Sequence, residues 1–322
     1  FGFCAQHTGN GGPQMLRVFE EPVPNPMPGQ VRVRVLASGV SFADVLCRRG
    51  MYPFMPKMRF TPGYDLVGYV DTLGQVVSGL HENQMVGALL PKFGANADYV
   101  CLPQELCVPV PEGVETPQAA AVILNYLTAY RILLHKAAAQ PRERVLVHSA
   151  AGGVGTALLQ LGEGMGLEMY GTTSTDKQAL VAAQGAAPID YKKQDFAQVV
   201  RDLTGDGVDI VCDAVGGETM ARSYGLLRKN GRLLSYGMLS TMGGGKLAPL
   251  PTLARLAWYR LKPDGKLAMF YGDTPGAAKK DVDWYRESLT TLFDMLAAGQ
   301  IEPVIGARLP LTEITRAHQM LE

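Results

Sequence analysis

The feature that most constrains this chain is a turn of small residues that follows an aliphatic run. The run 145–147 leads through His148 and Ser149 into Ala150-Ala151-Gly152-Gly153-Val154-Gly155, which fills an A-x-G-x-x-G pattern. Such a turn lets the backbone bend sharply, approach a pyrophosphate closely and set the following helix tightly on the strand. The free N–H groups of a helix that begins near Gly153 would then face the phosphates. The pattern predicts a dinucleotide-binding turn.

The alternative is a plain connection, because glycine-rich turns also join strands to helices where no ligand binds. The order of the neighbouring segments favours the dinucleotide turn. A second strand, predicted over 169–172, follows at the spacing of one βαβ unit, and further units come after it.

The rest of the chain predicts two kinds of architecture. Residues 22–110 contain short alternating runs such as 31–35 and 99–102, broken by Pro and Gly, which is typical of a β-barrel. A long helix opens at Thr116-Pro117. Strands over 208–213, 232–236 and 267–271 then alternate with helical segments over 177–183 and 218–227, which predicts a mainly parallel, doubly wound sheet. We expect a helix over 281–298, an extended segment over 301–311 and a last helix over 312–321.

Composition excludes several classes of partner. The 322 residues include 30 basic and 30 acidic side chains, so no net field favours nucleic acid or an anionic membrane. Apolar runs end well before the ~20 residues that a membrane span needs, and no basic start precedes an apolar core. The five cysteines are scattered, which favours reduced thiols. We therefore expect a cytoplasmic protein with small-molecule partners and no nucleic acid.

Several motifs together resemble the medium-chain dehydrogenase/reductase superfamily. The segments 39–44, 49–52 and 62–68, with the small-residue turn, are similar to the zinc-independent quinone oxidoreductases, the ζ-crystallin group. Within that group, the segment 124–130 resembles the vesicle amine transport protein 1 homologues. The resemblance implies an α/β fold with a GroES-like, β-barrel-type catalytic domain over 1–122, a Rossmann NADP-binding domain over 123–273 and a return segment over 274–322. It also implies a homodimer joined through an edge strand such as 267–271.

The zinc-dependent members of that superfamily need two cysteines and a His-Glu pair for their catalytic metal. Here Ser41 stands in place of the first cysteine, and Tyr64-Asp65 replace His-Glu. A hydroxyl, a phenol and one carboxylate do not supply the N and S ligands that zinc prefers. We therefore expect no metal, and reduction of an electron-poor quinone or enone rather than oxidation of an alcohol.

The end of the second strand bears on the choice of nicotinamide. An NAD site places a carboxylate there, but the chain reads Gly171-Thr172-Thr173-Ser174-Thr175, and Lys177 follows where it can face a 2′-phosphate. The resemblance adds Ser174 and Tyr191 to that pocket and implies NADPH. An alternative is that Asp176, from a shifted position, accepts the hydrogen bond of the ribose 2′-hydroxyl. We favour instead Thr175 or Asp176 as the cap of the helix that carries Lys177.

The resemblance also implies which residues surround the reacting centre. They are Ser41, Asp44, Thr128, Gly237 and Met238 near the cofactor, and Tyr52 and Tyr64 near the substrate. Three of them have a structural alternative: Asp44 can cap a helix or hold the Arg49 loop, Thr128 can bond to its own helix, and Tyr52 can be ordinary packing. His148 either faces the cofactor or is a hydrogen-bonded structural histidine, and we favour the second.

The expected activity is hydride transfer from NADPH to a quinone or an α,β-unsaturated carbonyl. Two alternatives stay open. One is an enoyl-thioester or 2-alkenal reductase, which shares the hydride chemistry and differs in pocket shape. The other is a nucleotide-binding protein without catalysis, with a structural, vesicle-associated or RNA-associated role.

Overall fold

The computed structural model describes residues 1–52, 59–242 and 247–322. It divides into two units: Phe1–Leu127 together with Thr274–Glu322, here called the antiparallel unit, and Thr128–Asp273, here called the nucleotide unit. Within the described ranges, no helix combines the length and the apolar character that crossing a bilayer requires.

The antiparallel unit is built on a five-stranded sheet in the order β6-β3-β4-β5-β7, with a separate β1-β2 pair. Val31 and Val33 are buried while Arg32 and Arg34 alternate with them, so β3 forms because its apolar side chains share one face. Its strands are β1 (Gly2–His7), β2 (Leu16–Glu21), β3 (Gln30–Ser38), β4 (Asp65–Leu73), β5 (Met85–Leu89), β6 (Tyr99–Pro103) and β7 (Val108–Pro109).

Helices of the antiparallel unit come from both ends of the chain. Numbered in chain order, they are α1 (Phe42–Arg48), most of α2 (Thr116–Tyr130), α8 (Thr274–Lys280), α9 (Val282–Ala297) and α10 (Ile314–Met320). In α9 the buried residues Tyr285, Leu289 and Leu292 recur at helical spacing. The Tyr285 hydroxyl accepts from the Leu89 N–H at 3.0 Å and donates to the Leu106 carbonyl at 2.7 Å, which ties α9 to the sheet.

The nucleotide unit contains six parallel strands in the order β10-β9-β8-β11-β12-β13. The strands are β8 (Arg144–Val147), β9 (Glu168–Thr173), β10 (Ala187–Asp190), β11 (Val208–Asp213), β12 (Leu227–Ser235) and β13 (Leu267–Phe270). The helices are α3 (Gly153–Gly164), α4 (Gln178–Ala183), α5 (Phe196–Thr204), α6 (Gly217–Tyr224) and α7 (Leu250–Leu261). This strand order is that of a Rossmann sheet, in which the order reverses beside the first strand.

These observations confirm the predicted fold class: a doubly wound parallel sheet, plus a second unit of antiparallel strands. One predicted boundary is wrong. The helix predicted to reach Leu227 ends at Tyr224, because Leu227 already pairs with Val208 as the start of β12. Side-chain periodicity predicts such a boundary poorly, since a pairing partner far along the chain decides it. The segment predicted as extended contains neither a helix nor a paired strand over 301–310.

One close contact sets how α3 lies on the sheet. A Cβ added at Gly155 would lie 2.3 Å from the Ser149 carbonyl oxygen and 2.7 Å from that of Ala150. Real Cβ atoms do not approach backbone oxygens so closely, so only glycine lets the first turn of α3 pack against the strand end. Gly164 is at the other end of the same helix, and a Cβ there would meet nothing within 4 Å.

We expect Gly155→Ala to lower the free energy of unfolding by roughly 1–3 kcal/mol, because the added methyl group must displace backbone. Gly164→Ala is the matched control, and it should be neutral or stabilising by up to about 1 kcal/mol. Urea denaturation of both variants measures the difference. Equal stability of the two variants would contradict the role given to Gly155.

Candidate functional site

The turn between β8 and α3 leaves the start of a helix open. Ser149 has a φ of 55°, and the Ala150 N–H donates to the Thr172 carbonyl at 3.0 Å. Gly152 is the N-cap of α3, and no side chain accepts a hydrogen bond from the first turn. Gly152 and Gly153 are exposed. Free N–H groups at the positive end of a helix dipole form a site for an anion.

The buried side chain of His148 supports this turn through two hydrogen bonds. Its side chain is 1% exposed, and its Nδ1 and Nε2 lie 2.8 Å from the Thr172 hydroxyl and 2.6 Å from the Ser223 hydroxyl. Because Ser223 donates to the Thr219 carbonyl, it accepts from Nε2–H, and Thr172 donates to Nδ1. Burial lowers the pKa of His148 to about 3, so the ring is neutral. The structural interpretation of this histidine is confirmed.

A second turn at the same edge was missed by sequence reasoning. It follows β11 as Asp213-Ala214-Val215-Gly216-Gly217, and Asp213 accepts hydrogen bonds from the N–H groups of Val215 and Gly216, both at 2.9 Å. Burial raises the pKa of Asp213 to about 6. The signal was present, since a small, glycine-rich turn follows an aliphatic strand here as it does after β8.

Gly237 and Met238 lie against this second turn. A Cβ at Gly237 would come within 2.7 Å of the Ala214 carbonyl oxygen, and the Leu239 N–H donates to that same carbonyl at 3.1 Å. Met238 therefore follows a backbone segment that is closely packed on the end of β11. The carboxyl ends of adjacent parallel strands meet here, where open α/β sheets bind ligands.

The end of β9 brings Ser174, Lys177 and Tyr191 to one edge. Thr173 pairs with Asp190, the last residue of β10, and the Tyr191 N–H donates to the Thr173 carbonyl at 3.2 Å. Tyr191 is 56% exposed, and Lys177 is also exposed. The three residues predicted for this site thus lie on adjoining loops, with the Lys177 and Tyr191 side chains exposed and the Ser174 hydroxyl bonded to Asp176.

The capping role favoured for Thr175 or Asp176 is wrong. The Thr175 hydroxyl donates to Asp190 at 2.6 Å, and Asp176 accepts from the Ser174 hydroxyl at 2.5 Å. No side chain caps the short turn Thr175–Lys177 or α4 after it. The adjoining strand β10 supplies a carboxylate for Thr175, which local sequence does not reveal.

In the antiparallel unit, Ser41 and Asp44 form a capping box at the start of α1. Asp44 is buried and accepts from the Ser41 N–H at 2.8 Å, the Ser41 hydroxyl at 2.6 Å and the Gly63 N–H at 2.8 Å. Burial raises the pKa of Asp44, against these hydrogen bonds. The structural alternative given for Asp44, a role in capping α1, is confirmed, and the same carboxylate fixes the loop that precedes Tyr64.

Tyr52 and Tyr64 meet in the antiparallel unit around Phe93. The Tyr64 ring is 4% exposed and its centroid lies 4.1 Å from that of Phe93. Tyr52 meets Phe93 edge-on at 6.2 Å and hydrogen-bonds to the Tyr64 side chain. Burial, with this hydrogen bond, raises the pKa of Tyr64 well above its usual value, so its phenol keeps its proton.

The residues that take the places of zinc ligands do not suit that metal. The Ser41 hydroxyl is bound to Asp44, and the Tyr64 ring packs on Phe93. Asp65 accepts from the Gly39 N–H at 2.7 Å, and burial raises its pKa to about 7. Zinc prefers thiolate and imidazole ligands. Across the described parts of the chain, no cluster of three or more His, Cys, Asp or Glu side chains has the arrangement of a metal site.

The predicted site residues thus fall in two groups. The nucleotide unit holds Thr128, which is buried in α2, together with the turn residues 150–155 and Ser174, Lys177, Tyr191, Gly237 and Met238. The antiparallel unit holds Ser41, Asp44, Tyr52 and Tyr64. The first group presents backbone N–H groups and cations, and the second presents phenols in an aromatic setting.

Comparison with known proteins matches both parts of the chain. Residues 27–112 match the alcohol dehydrogenase GroES-like domain, and residues 184–322 match the family described as zinc-binding dehydrogenase. The synaptic vesicle membrane protein VAT-1 homolog of Rattus norvegicus is 32% identical over 328 residues, which cover 99% of this chain and 81% of that protein.

Solved structures agree with these matches. The Escherichia coli quinone oxidoreductase complexed with NADPH superposes with a TM-score of 0.86 at 27% identity and covers 99% of this chain and 96% of its own. The CurK enoyl reductase superposes with a TM-score of 0.85 at 25% identity, over 99% and 95% of the two chains. The chain therefore belongs to the medium-chain dehydrogenase/reductase superfamily, in the group of the quinone oxidoreductases and VAT-1 homologues.

Proposed function

We propose that this protein is an NADPH-dependent oxidoreductase that transfers a hydride to a quinone or an α,β-unsaturated carbonyl. The observation that carries the proposal is the exposed, uncapped start of α3 at Gly152 and Gly153. Free backbone N–H groups at the start of a helix can bind an anion such as the pyrophosphate. Membership of an oxidoreductase superfamily and the NADPH complex of the E. coli relative support it.

The nucleotide unit offers groups for each charged part of the cofactor. The pyrophosphate would bind at the start of α3, at Gly153, Val154 and Gly155. Ala150 and Gly152, whose N–H groups donate to the Thr172 and Ser149 carbonyls, would shape the turn around it. Ser174, Lys177 and Tyr191 would hold the 2′-phosphate. Gly237 and Met238 would lie beside the nicotinamide. When bound, the reduced nicotinamide supplies the hydride.

The antiparallel unit supplies groups suited to the acceptor. Tyr52 and Tyr64 would line the substrate pocket, with Ser41, Asp44 and Thr128 near the cofactor, and no zinc would take part. The rings provide an apolar surface for a planar acceptor, and the Tyr64 phenol keeps its proton at neutral pH. Such a phenol can donate a hydrogen bond to a carbonyl that gains negative charge.

Two other functions have support. The likeness to CurK favours an enoyl reductase, whose acceptor is also an activated double bond. The likeness to VAT-1 homologues, which are named as synaptic vesicle membrane proteins, favours the vesicle-associated alternative. We propose a cytoplasmic location, small-molecule substrates and no nucleic-acid partner.

A spectrophotometric screen of quinones, enones, enoyl thioesters and aldehydes with NADPH and NADH tests the proposed function. We expect NADPH oxidation with a quinone or enone. Tyr52→Ala should raise the KM for that acceptor, because it removes an aromatic pocket wall, while the Kd for NADPH stays unchanged. Tight NADPH binding without turnover of any acceptor would favour the non-catalytic alternative, and an unchanged KM would remove Tyr52 from the pocket.

Lys177→Ala tests the choice of nicotinamide. We expect the Kd for NADPH to rise roughly tenfold, since the variant loses a charge-assisted contact with the 2′-phosphate. The Kd for NADH should not change, because NADH has no such phosphate. Lys229→Ala, which removes another exposed lysine of the nucleotide unit, is the control. Equal or tighter binding of NADH by the wild type would contradict the assignment.

We also propose a homodimer joined through β13. Among the described strands, β13 pairs on one side with β12 and ends the sheet, and Leu267 and Phe270 expose 43% and 49% of their surfaces. An apolar sheet edge of this kind favours pairing with a second copy.

Mass measurement in solution tests the dimer. The wild type should have twice the mass of the chain, and Phe270→Lys should shift it towards the monomer, because a charge at the edge opposes pairing. Phe19→Lys, which changes an exposed aromatic residue on β2, should leave the mass unchanged. A monomeric wild type would remove the proposal.

A further inference from the structure

Asp176 places a carboxylate among the groups assigned to the 2′-phosphate. It is exposed, and the Ser174 hydroxyl donates to its Oδ1 at 2.5 Å. The pKa of Asp176 lies below its usual value, first because of this hydrogen bond and further because the ammonium groups of Lys192 and Lys177 are near. We call Ser174, Asp176, Lys177 and Lys192 the Asp176 cluster.

The neighbouring strand brings Lys192 to this cluster. Asp190 ends β10 beside Thr173 and accepts hydrogen bonds from the Thr175 hydroxyl at 2.6 Å and the Lys192 N–H at 3.0 Å. These bonds fix the backbone of both loops. Lys192 is exposed and follows Tyr191 directly, so its ammonium group lies on the loop that carries a proposed 2′-phosphate contact.

A phosphate monoester binds the same kinds of group that surround Asp176, a hydroxyl and two ammonium groups. It carries roughly −1.5 to −2 charges at neutral pH and binds hydroxyl donors and cations. Asp176 is already bonded to Ser174, and both lysines act on its carboxylate electrostatically without a direct ion pair. This carboxylate therefore competes with a phosphate for the hydroxyl and for the lysines, and it also repels the phosphate through space. The same carboxylate can accept a hydrogen bond from a free ribose 2′-hydroxyl.

We propose that Asp176 is a specificity-determining residue, an internal anion that competes with the 2′-phosphate of NADPH for Ser174, Lys177 and Lys192. This inference rests on the proposed function, since it concerns the same cofactor site. It also makes Lys192 a further contact of the 2′-phosphate. It predicts that Asp176 lowers the affinity for NADPH relative to the affinity for NADH.

Isothermal titration calorimetry with two fragments of the cofactor measures this effect on binding separately from catalysis. Adenosine 2′,5′-bisphosphate and 5′-AMP differ only in the 2′-phosphate. In Asp176→Asn, the Kd for the bisphosphate should fall roughly fivefold, as expected for removal of one like charge about 4 Å away in water. The Kd for 5′-AMP should stay the same or rise, and the gain for the bisphosphate should shrink as salt increases.

Asp202→Asn is the matched control, because it removes one exposed carboxylate from α5, where Asp202 accepts from Gln198. It should change neither Kd. Unchanged or weaker bisphosphate binding by Asp176→Asn would overturn the inference, as would equal tightening of both fragments. If the wild type binds neither fragment, the proposed function fails, and the inference fails with it.

Lys192→Gln supplies a second arm. It should weaken bisphosphate binding and leave 5′-AMP binding unchanged. Its effect should be larger in the Asp176→Asn background, because Asp176 no longer competes for the ammonium group. Additive effects of the two substitutions would show that Asp176 does not compete for Lys192 and would overturn that part of the inference.

Discussion

The close approach of α3 to the end of β8 is the contact on which the nucleotide unit depends. Gly155 allows it, because a side chain there would meet the carbonyl oxygens of Ser149 and Ala150. With the helix in this position, its first N–H groups have no side-chain cap, and Gly152 and Gly153 are exposed. The same geometry therefore determines both packing and the affinity for an anion.

Buried polar side chains then hold the loops in place. His148 bridges Thr172 and Ser223 below the first turn, and Asp213 binds the backbone of the second. Asp44 does the same for the loop before Tyr64. Burial shifts the pKa of each of these three side chains in the direction that favours its neutral form. Such a shift is expected wherever a titratable group is buried as a structural support. These residues position the site without being exposed to a ligand.

The chemistry of the antiparallel unit follows from what replaces the metal ligands. Ser41 and Asp44 are engaged with each other in a capping box, and Tyr64 is engaged with Tyr52 and Phe93. Hydroxyls and phenols in this setting offer hydrogen bonds and aromatic surface rather than a Lewis acid. An acceptor that is already polarised needs no more than positioning and such hydrogen bonds.

Much of the fold could be predicted because its signals are local. The aliphatic runs of β8 and β11, the alternation in β3 and the glycine spacing of the first turn all depend on neighbours in sequence. The predictions for Ser174 and Tyr191 used a family resemblance, and that for Lys177 used its place after the second strand. The structure brings these residues to one edge through the pairing of β9 with β10. Their role in binding stays a prediction.

The sequence by itself determined much of the succession of strands and helices and the glycine turn, since these follow from residue type and spacing. Only the tertiary structure decided that Thr175 bonds to Asp190 and that the Tyr191 N–H donates to the Thr173 carbonyl. Each of these contacts joins the chain at the end of β9 to the chain at the end of β10. Their partners are chosen by strand order and register, which no short stretch of sequence encodes.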